Sequence, residues 1–551
     1  MRLSLIFFAV SVLLPSGIQQ TPPMTPGKPR EKCKLEGTVI AADSGQPLRK
    51  TVLSLSKTGN RAKPQYALTD SNGYFEMKDI DPGRYYFSAS HAGYVRMGYD
   101  QRSADAPSSE LTLSPGQVLK EISFHLPRAA AISGHVYDEN GDPIERAQVR
   151  AQRYRYFQGK RQLLPAGFAS TDDRGEYRIF DLAPGSYYVS ATLNAGQFSQ
   201  GPANLSYPDT FYPSTTEAST ASPLQLTAGN DFSGVDISLA PAKTFHIRGR
   251  VFNAVTNRPG DGAWTLLLPR GQRFTGGAFN NEDFVQDPHG NFDLGGVKAG
   301  SYFLIVSIDA NGAQLQTRLP VDVADSDING LSVTLTSGAE IHGQVRASGG
   351  KLDFAGLHLM LRPRDQQIYF PSQEAIIDPK GNLTFRHVGD GGYKLRVWGL
   401  PQDAYVKSVR LGGQDVPQSG FDVSEGQSPG SLEVVIEPNG GRVMGTVAKD
   451  GKPFSDATVV LLPEDPAAAG DYTRTEEAAT DQYGAFVMRG IRPGKYRVVA
   501  FEQIEEGSWT DPNLLSRIKD QGNEVEVSDG QESKVQLQVV PASQLGSDGA
   551  E

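Results

Sequence analysis

The sequence predicts an all-β chain, a tandem array of about five β-sandwich domains, and three observations carry that expectation. At 551 residues the chain is too long for one hydrophobic core, since single domains run to about 100–200 residues. Its 60 Gly and 36 Pro point to many turns between short strands rather than to long helices. One motif also recurs five times at one internal spacing, which marks repeated structural units. With 38% hydrophobic residues, 25 Phe and 21 Tyr, each unit has the material for a packed core.

The amino terminus reads Met1-Arg2, an apolar run from Leu3 to Leu14, then Pro15-Ser16-Gly17. A charged start, a short apolar stretch and small residues make a secretory signal, too short to span a bilayer comfortably. Residues 1–20 are therefore expected to be a signal peptide, cleaved between Gly17 and Thr21, with 21–31 as a polar linker. Cys33 follows Arg30-Glu31-Lys32, where a lipoprotein anchor needs small apolar residues, so no lipid is expected on it. As the single cysteine it can form neither an intrachain disulfide nor a multi-cysteine metal site. No later stretch reads as a transmembrane helix, so the mature chain is expected to carry no transmembrane span.

The repeat pairs an Asp/Gly turn and an aromatic with a second glycine ten residues on. Thr69-Asp70-Ser71-Asn72-Gly73-Tyr74-Phe75 leads to Asp81-Pro82-Gly83-Arg84-Tyr85, and Asp172-Asp173-Arg174-Gly175-Glu176-Tyr177 leads to Pro184-Gly185-Ser186-Tyr187. The later copies run from Gly290 to Gly300, Gly381 to Gly391 and Gly484 to Gly494, the fourth being looser. The turn admits positive φ, a strand of about six residues follows, and Pro-Gly reverses the chain, which predicts a β-meander. Tyr85, Phe87 and Ala89 alternate as one buried face would. About 36–41 residues before each motif glycine stands a Gly-x-Val strand, at Gly37, Gly134, Gly249, Gly343 and Gly445, and this strand opens each unit. An alternating pair of strands, such as Leu111–Leu113 and Ile122–Phe124, closes it and reads as a hairpin. Near the end, Asp511-Pro512 can cap a short helix with Leu514, Leu515 and Ile518 on one side.

Units of this size with about seven short strands fit an immunoglobulin-like or transthyretin-like sandwich. The expected boundaries are 32–128, 129–243, 244–336, 337–438 and 439–541, with 542–551 a disordered tail. Gly-x-Val, Asp-x-x-Gly-x-Phe/Tyr and Pro-Gly-x-Tyr together resemble the carboxypeptidase regulatory-like domain. The segments Tyr405–Arg410 and Tyr207–Pro213 further resemble large secreted bacterial proteins that carry this domain in tandem. The resemblance implies an accessory sandwich, with the chemistry of the namesake peptidases residing in a separate zinc domain, and by analogy with starch-binding sandwiches it implies glycan binding.

Direct chemistry is not legible. A net charge of −10 with no basic tract argues against nucleic acid as a partner. The eight histidines are scattered singly, without the close spacing that shared zinc ligation needs. Phosphate-loop, dinucleotide and Gly-x-Ser-x-Gly motifs do not occur. The turns at Asp70 and Asp138 begin like calcium loops but lack the closing glutamate, and positive φ alone accounts for them. No enzyme, cofactor or metal is therefore expected. The residues that stand out are aromatic: Tyr154, Tyr156 and Phe157, with Tyr207 and Tyr212 in the long loop of the same unit, form the candidate ligand site, the alternative being that Tyr154 and Tyr156 alternate into the core while the loop rings cover the sandwich edge. The chain is expected to be an exported binding or adhesion protein, periplasmic, on the cell surface or extracellular. Its partner would be a glycan or a cell-surface protein. The alternatives are a purely structural cell-envelope spacer and an accessory part of a peptidase system.

Overall fold

The computed structural model describes residues 31–545 apart from 59–62, 105, 107, 158–159, 194–204, 271–281, 311–312, 350–351, 355, 365–372, 425–428 and 466–474. The expected signal peptide and most of the linker lie outside the described residues. Five hydrophobic cores follow one another along the chain, drawn from Cys33–Leu126, Ala130–Leu239, Phe245–Leu335, Ala339–Ile436 and Val443–Val539. The first four sit between two sheets and the fifth between the halves of one eight-stranded sheet folded through strand Glu532–Val540, so the chain is a tandem array of five β-sandwiches.

The first unit shows the plan. Its opening strand Cys33–Ala41 pairs antiparallel with Tyr74–Ile80 and parallel with Val118–Leu126. The facing sheet sets Val52–Lys57 between Gln65–Leu68 and Gly83–Ser90, and Glu110–Leu113 pairs with Gly83–Ser90. Strand Tyr74–Ile80 and strand Gly83–Ser90 thus belong to opposite sheets, and the Pro82-Gly83 turn carries the chain across the core. This corrects the expected meander. The alternation on both strands is real, but the two inward faces meet each other. Phe75 and Phe87 stack edge to face at 5.7 Å, and Phe87 meets Phe124 at 5.1 Å. The closing pair is corrected in the same way. Leu111–Leu113 lies in one sheet and Ile122–Phe124 in the other, where the last strand runs parallel to the first. The same parallel closure recurs in the other units, as in Ile328–Leu335 on Phe245–Asn253 and Glu532–Val540 on Gly441–Lys449.

That closure explains the opening glycine. A Cβ at Gly37, Gly134, Gly249, Gly343 or Gly445 would overlap a carbonyl oxygen of the parallel strand, that of Ile122, Val235, Leu331, Leu432 or Val535 respectively. The motif glycine has a different reason: Gly73 takes φ 70°, and a Cβ there would lie 2.5 Å from the Val39 carbonyl oxygen. The motif aspartates close their turns on backbone amides. Asp70 Oδ1 accepts from the N–H groups of Asn72 and Tyr74 at 2.8 and 2.9 Å, and Asp172, Asp378 and Asp481 repeat this pattern. The tyrosine two residues after the second motif glycine donates its hydroxyl to the carbonyl four residues back in every unit. The pairs are Tyr85 to Asp81, Tyr187 to Ala183, Tyr302 to Lys298, Tyr393 to Gly389 and Tyr496 to Arg492, at 2.6–3.0 Å.

The fifth unit carries an addition. Val460, Leu462, Val499 and Phe501 turn outward from the sandwich and are covered by Ile504, Trp509, Leu514 and Ile518. With both faces of its sheet buried, strand Thr458–Pro463 reads as a continuous apolar run rather than an alternation. The helix Pro512–Ile518 stands where the sequence placed it, with Asp511 accepting from the Asn513 N–H at 2.8 Å as its cap. Residues 542–545 depart from the expected disordered tail: Ala542–Gln544 form a short 3-10 helix, because Leu545 is buried in this second apolar layer.

Candidate functional site

The aromatic residues of the second unit sit on two parts of one sheet. Strands Gln148–Phe157 and Lys160–Ser170 form a long hairpin, while the pairing of the first with Gly185–Leu193 ends at Gln152. Residues beyond Gln152 therefore project past the sandwich on a two-stranded arm, and Tyr154 and Tyr156 share one face of it. Tyr154 meets Tyr188 edge to face at 5.2 Å, and the Arg161 guanidinium lies 5.1 Å from the centre of its ring. Tyr156 donates its hydroxyl to Asp511 Oδ2 at 2.6 Å, and its N–H donates to Glu505 Oε1 at 3.2 Å. Burial, with the Asp511 carboxylate beside it, pushes the Tyr156 phenol up to about 12. Phe157 pairs with Lys160 at the tip, and its side chain lies outside the described residues.

Tyr207 and Tyr212 lie elsewhere. Tyr207 pairs with Leu193, five residues along the strand from Tyr188, which is roughly 16 Å at strand spacing. Its ring packs on the core, its hydroxyl donates to Glu139 Oε2 at 2.9 Å, and burial with that carboxylate pushes its phenol up to about 12. Tyr212 also packs on the core. The structure thus brings Tyr154 and Tyr156 together, sets Tyr207 farther along the sheet, and places Tyr212, whose N–H donates to the Val189 carbonyl at 2.8 Å, close to Tyr188 along the sheet but with its ring on the core. The turn at Asp138, like that at Asp70, uses its carboxylate on backbone amides, accepting from Asn140 and Asp142 at 2.8 and 2.9 Å.

Sequence reasoning missed the contacts between distant units. The fifth unit touches its neighbour, the fourth, through Arg442, which grips Asp403 with Nε and a terminal nitrogen at 3.0 and 2.8 Å. Tyr405 adds a bond to Asp529 at 3.0 Å. It also reaches the second unit through Asp511 and Glu505, which hold Tyr156. It reaches the first through a reciprocal pair: the Thr112 N–H donates to Gln482 Oε1 at 3.2 Å, and Gln482 Nε2 donates to the Thr112 carbonyl at 2.8 Å. Gln117 donates to the Tyr483 hydroxyl at 3.1 Å, and the Arg102 N–H donates to Asp456 Oδ2 at 3.2 Å. No motif announces these bonds, since single polar residues in turns look the same whether or not a neighbour covers them.

A second polar cluster lies in a groove of the third unit. Arg248 bridges Asp293 at 2.9 Å and Asp327 at 2.8 Å, and His246 Nδ1 lies 2.6 Å from Asp293. Its charges are matched within the sheet. Among the described residues no group of three His, Cys, Asp or Glu side chains is placed to hold a metal ion, and no helix is long and apolar enough to cross a membrane.

Residues 34–127 and 131–240 match the model of the carboxypeptidase regulatory-like domain. No curated protein matches the chain. Among solved structures, the TIE protein of Bacillus anthracis is 14% identical with a TM-score of 0.16, over 56% of this chain and 51% of that one. The chain thus spans about half the length of that protein. The minor pilin GBS52 of Streptococcus agalactiae is 13% identical with a TM-score of 0.22, over 38% of this chain and 96% of that one. A 3-chlorocatechol 1,2-dioxygenase of Rhodococcus opacus is 14% identical with a TM-score of 0.12, over 18% and 53%. The first two of the five sandwiches, each closed by a parallel strand, thus match the carboxypeptidase regulatory-like domain along nearly their whole length, within a chain that is a multi-domain β-sandwich protein.

Proposed function

We propose that this chain is an exported, non-catalytic binding or adhesion protein whose five sandwiches form a closed array rather than a string. The observation that carries the reading is the return of the fifth unit to the first and second. In a string each unit meets only its neighbours, so domain number sets reach, and contacts between distant units serve no purpose there. A closed array instead fixes the relative positions of loops from different units, which suits recognition of an extended surface. The ligand in this reading is a carbohydrate or a cell-surface protein, met by the projecting arm of the second unit. Tyr154 offers a half-buried ring, flanked by Tyr188 and Arg161, of the kind that packs against a sugar face.

The test is binding of the whole secreted chain to a glycan array and to a panel of surface proteins, repeated with Tyr154→Ala. Weak, salt-insensitive binding that Tyr154→Ala abolishes without loss of fold supports the reading. A folded chain that binds neither class, and whose removal alters only envelope spacing, favours the structural spacer.

A further inference from the structure

The contact between the first and fifth units is built over a carboxyl group without counterpart in the other repeats. Asp456 occupies a tight bend before buried Ala457, with φ 58°. The matching bends hold Lys50 before Thr51, Arg146 before Ala147 and Gly262 before Ala263, at φ 60°, 63° and 80°. Those three residues are exposed, whereas Asp456 is only 2% exposed. The sandwich by itself leaves this position in solvent, and Asp456 is covered because the first unit lies on it.

What covers it bonds it poorly. Asp456 Oδ2 takes the Arg102 N–H, and among the described residues no donor reaches Oδ1. The Arg102 Nε stands 3.7 Å from Asp456 Oδ2, while the same guanidinium lies 3.7 Å from Glu502, donates to the Ser455 carbonyl at 3.3 Å and sits 4.1 Å from the centre of the Phe454 ring. Lys449 is paired with Glu502 at 2.5 Å. Asp100 adds negative charge from the first unit, and farther along the seam stand Asp481 and two carboxyls that burial holds above their ordinary range, Glu110, paired with Arg84, and Glu477, which faces Tyr86. A desolvated, under-bonded carboxylate facing as many acids as bases favours its neutral form.

We propose that the seam between the first and fifth units is a pH-responsive latch, with Asp456 as its titrating group and closure firmest when that carboxyl is neutral. The inference rests on the closed array described above. In the closed chain burial pushes the Asp456 carboxyl up to about 7 against the opposing charge and N–H of Arg102, with Asp100 adding a smaller push. With the seam open, Asp456 is exposed as Lys50 and Arg146 are, and returns to the ordinary carboxyl value of 3.8. Closing therefore takes up a proton at any pH between the two values. Closure strengthens as the pH falls through 7 and gains nothing more below about 4, so the closing constant rises up to about a hundredfold from pH 8 to pH 5.

Native-state hydrogen exchange of the whole chain, corrected for the intrinsic pH dependence of exchange, reads this at the Arg102 and Thr112 amides. Both should be best protected at pH 5 and lose protection toward pH 8. Asp456→Asn, which tolerates the positive φ, should keep the protection and flatten its pH dependence. Glu110→Gln should remove only the share of the slope that Glu110, itself pushed up by burial and by Asp481 across the seam, contributes, and leave the Asp456 share in place. A wild-type profile without pH dependence, or an equal slope in Asp456→Asn, overturns the latch and leaves the closed array standing. Seam amides unprotected at every pH in both proteins overturn the array and the latch together.

Discussion

At the scale of single residues, the repeat is a set of steric and polar requirements rather than a chemical signature. Gly73 must hold φ 70° with its Cα against the Val39 carbonyl, so Gly73→Val should destabilise the first unit by about 1–3 kcal/mol from backbone strain alone, with the steric overlap adding to it. Thermal unfolding of the whole chain, followed by a probe in that unit, measures it. Tyr496 is buried and its hydroxyl donates to the Arg492 carbonyl, so Tyr496→Phe should cost about 1 kcal/mol and Tyr496→Ala about 3–5 kcal/mol. Equal effects of the two substitutions would show that the hydroxyl, not the ring, matters. The aromatic pattern of the second unit was legible as a pattern only. Nothing in the sequence distinguishes Tyr156, bonded to a unit about 350 positions away, from Tyr154, whose partners are local.

At the scale of elements, the capped helix of the fifth unit was legible because capping is local: Asp511, Pro512 and the spacing of Leu514 and Ile518 lie within eight residues. Its second duty was not. The Asp511 carboxylate caps the helix with one oxygen and holds the Tyr156 hydroxyl with the other. Asp511→Ala should therefore cost about 1 kcal/mol as a lost cap. It should also let the Tyr156 phenol fall from about 12 toward its ordinary value, as the neighbouring negative charge is removed. Titration of Tyr156 by NMR checks this, and an unmoved phenol would leave burial as the whole cause. The two misread elements, the meander and the closing hairpin, share one origin. Period-two alternation says that a strand has an inward face, but the two sheets of a sandwich both face inward.

At the scale of the whole molecule, the seams are small and polar, and their hold is the sum of a few hydrogen bonds and ion pairs. Arg102→Ala combined with Tyr156→Phe removes bonds from both distant contacts of the fifth unit. The double variant should keep every sandwich folded while the chain expands, which small-angle scattering reads as a larger radius of gyration. An unchanged radius would mean that the contact with the fourth unit, through Arg442 and Asp403, holds the fifth in place unaided.

The sequence by itself determined the local part of this protein: five repeats, the turns that need Gly and Asp, the strands with apolar faces and the capped helix. These follow from φ preferences, short-range hydrogen bonds and side-chain alternation, all acting within about ten residues. The tertiary structure decided which sheet each strand joins, the parallel pairing that leaves no room for a Cβ at the opening glycines, and the return of the fifth unit to the first and second. Those depend on surfaces brought together across hundreds of residues. A buried Asp456 and an exposed Lys50 occupy the same local bend, and only the unit packed on top makes them different.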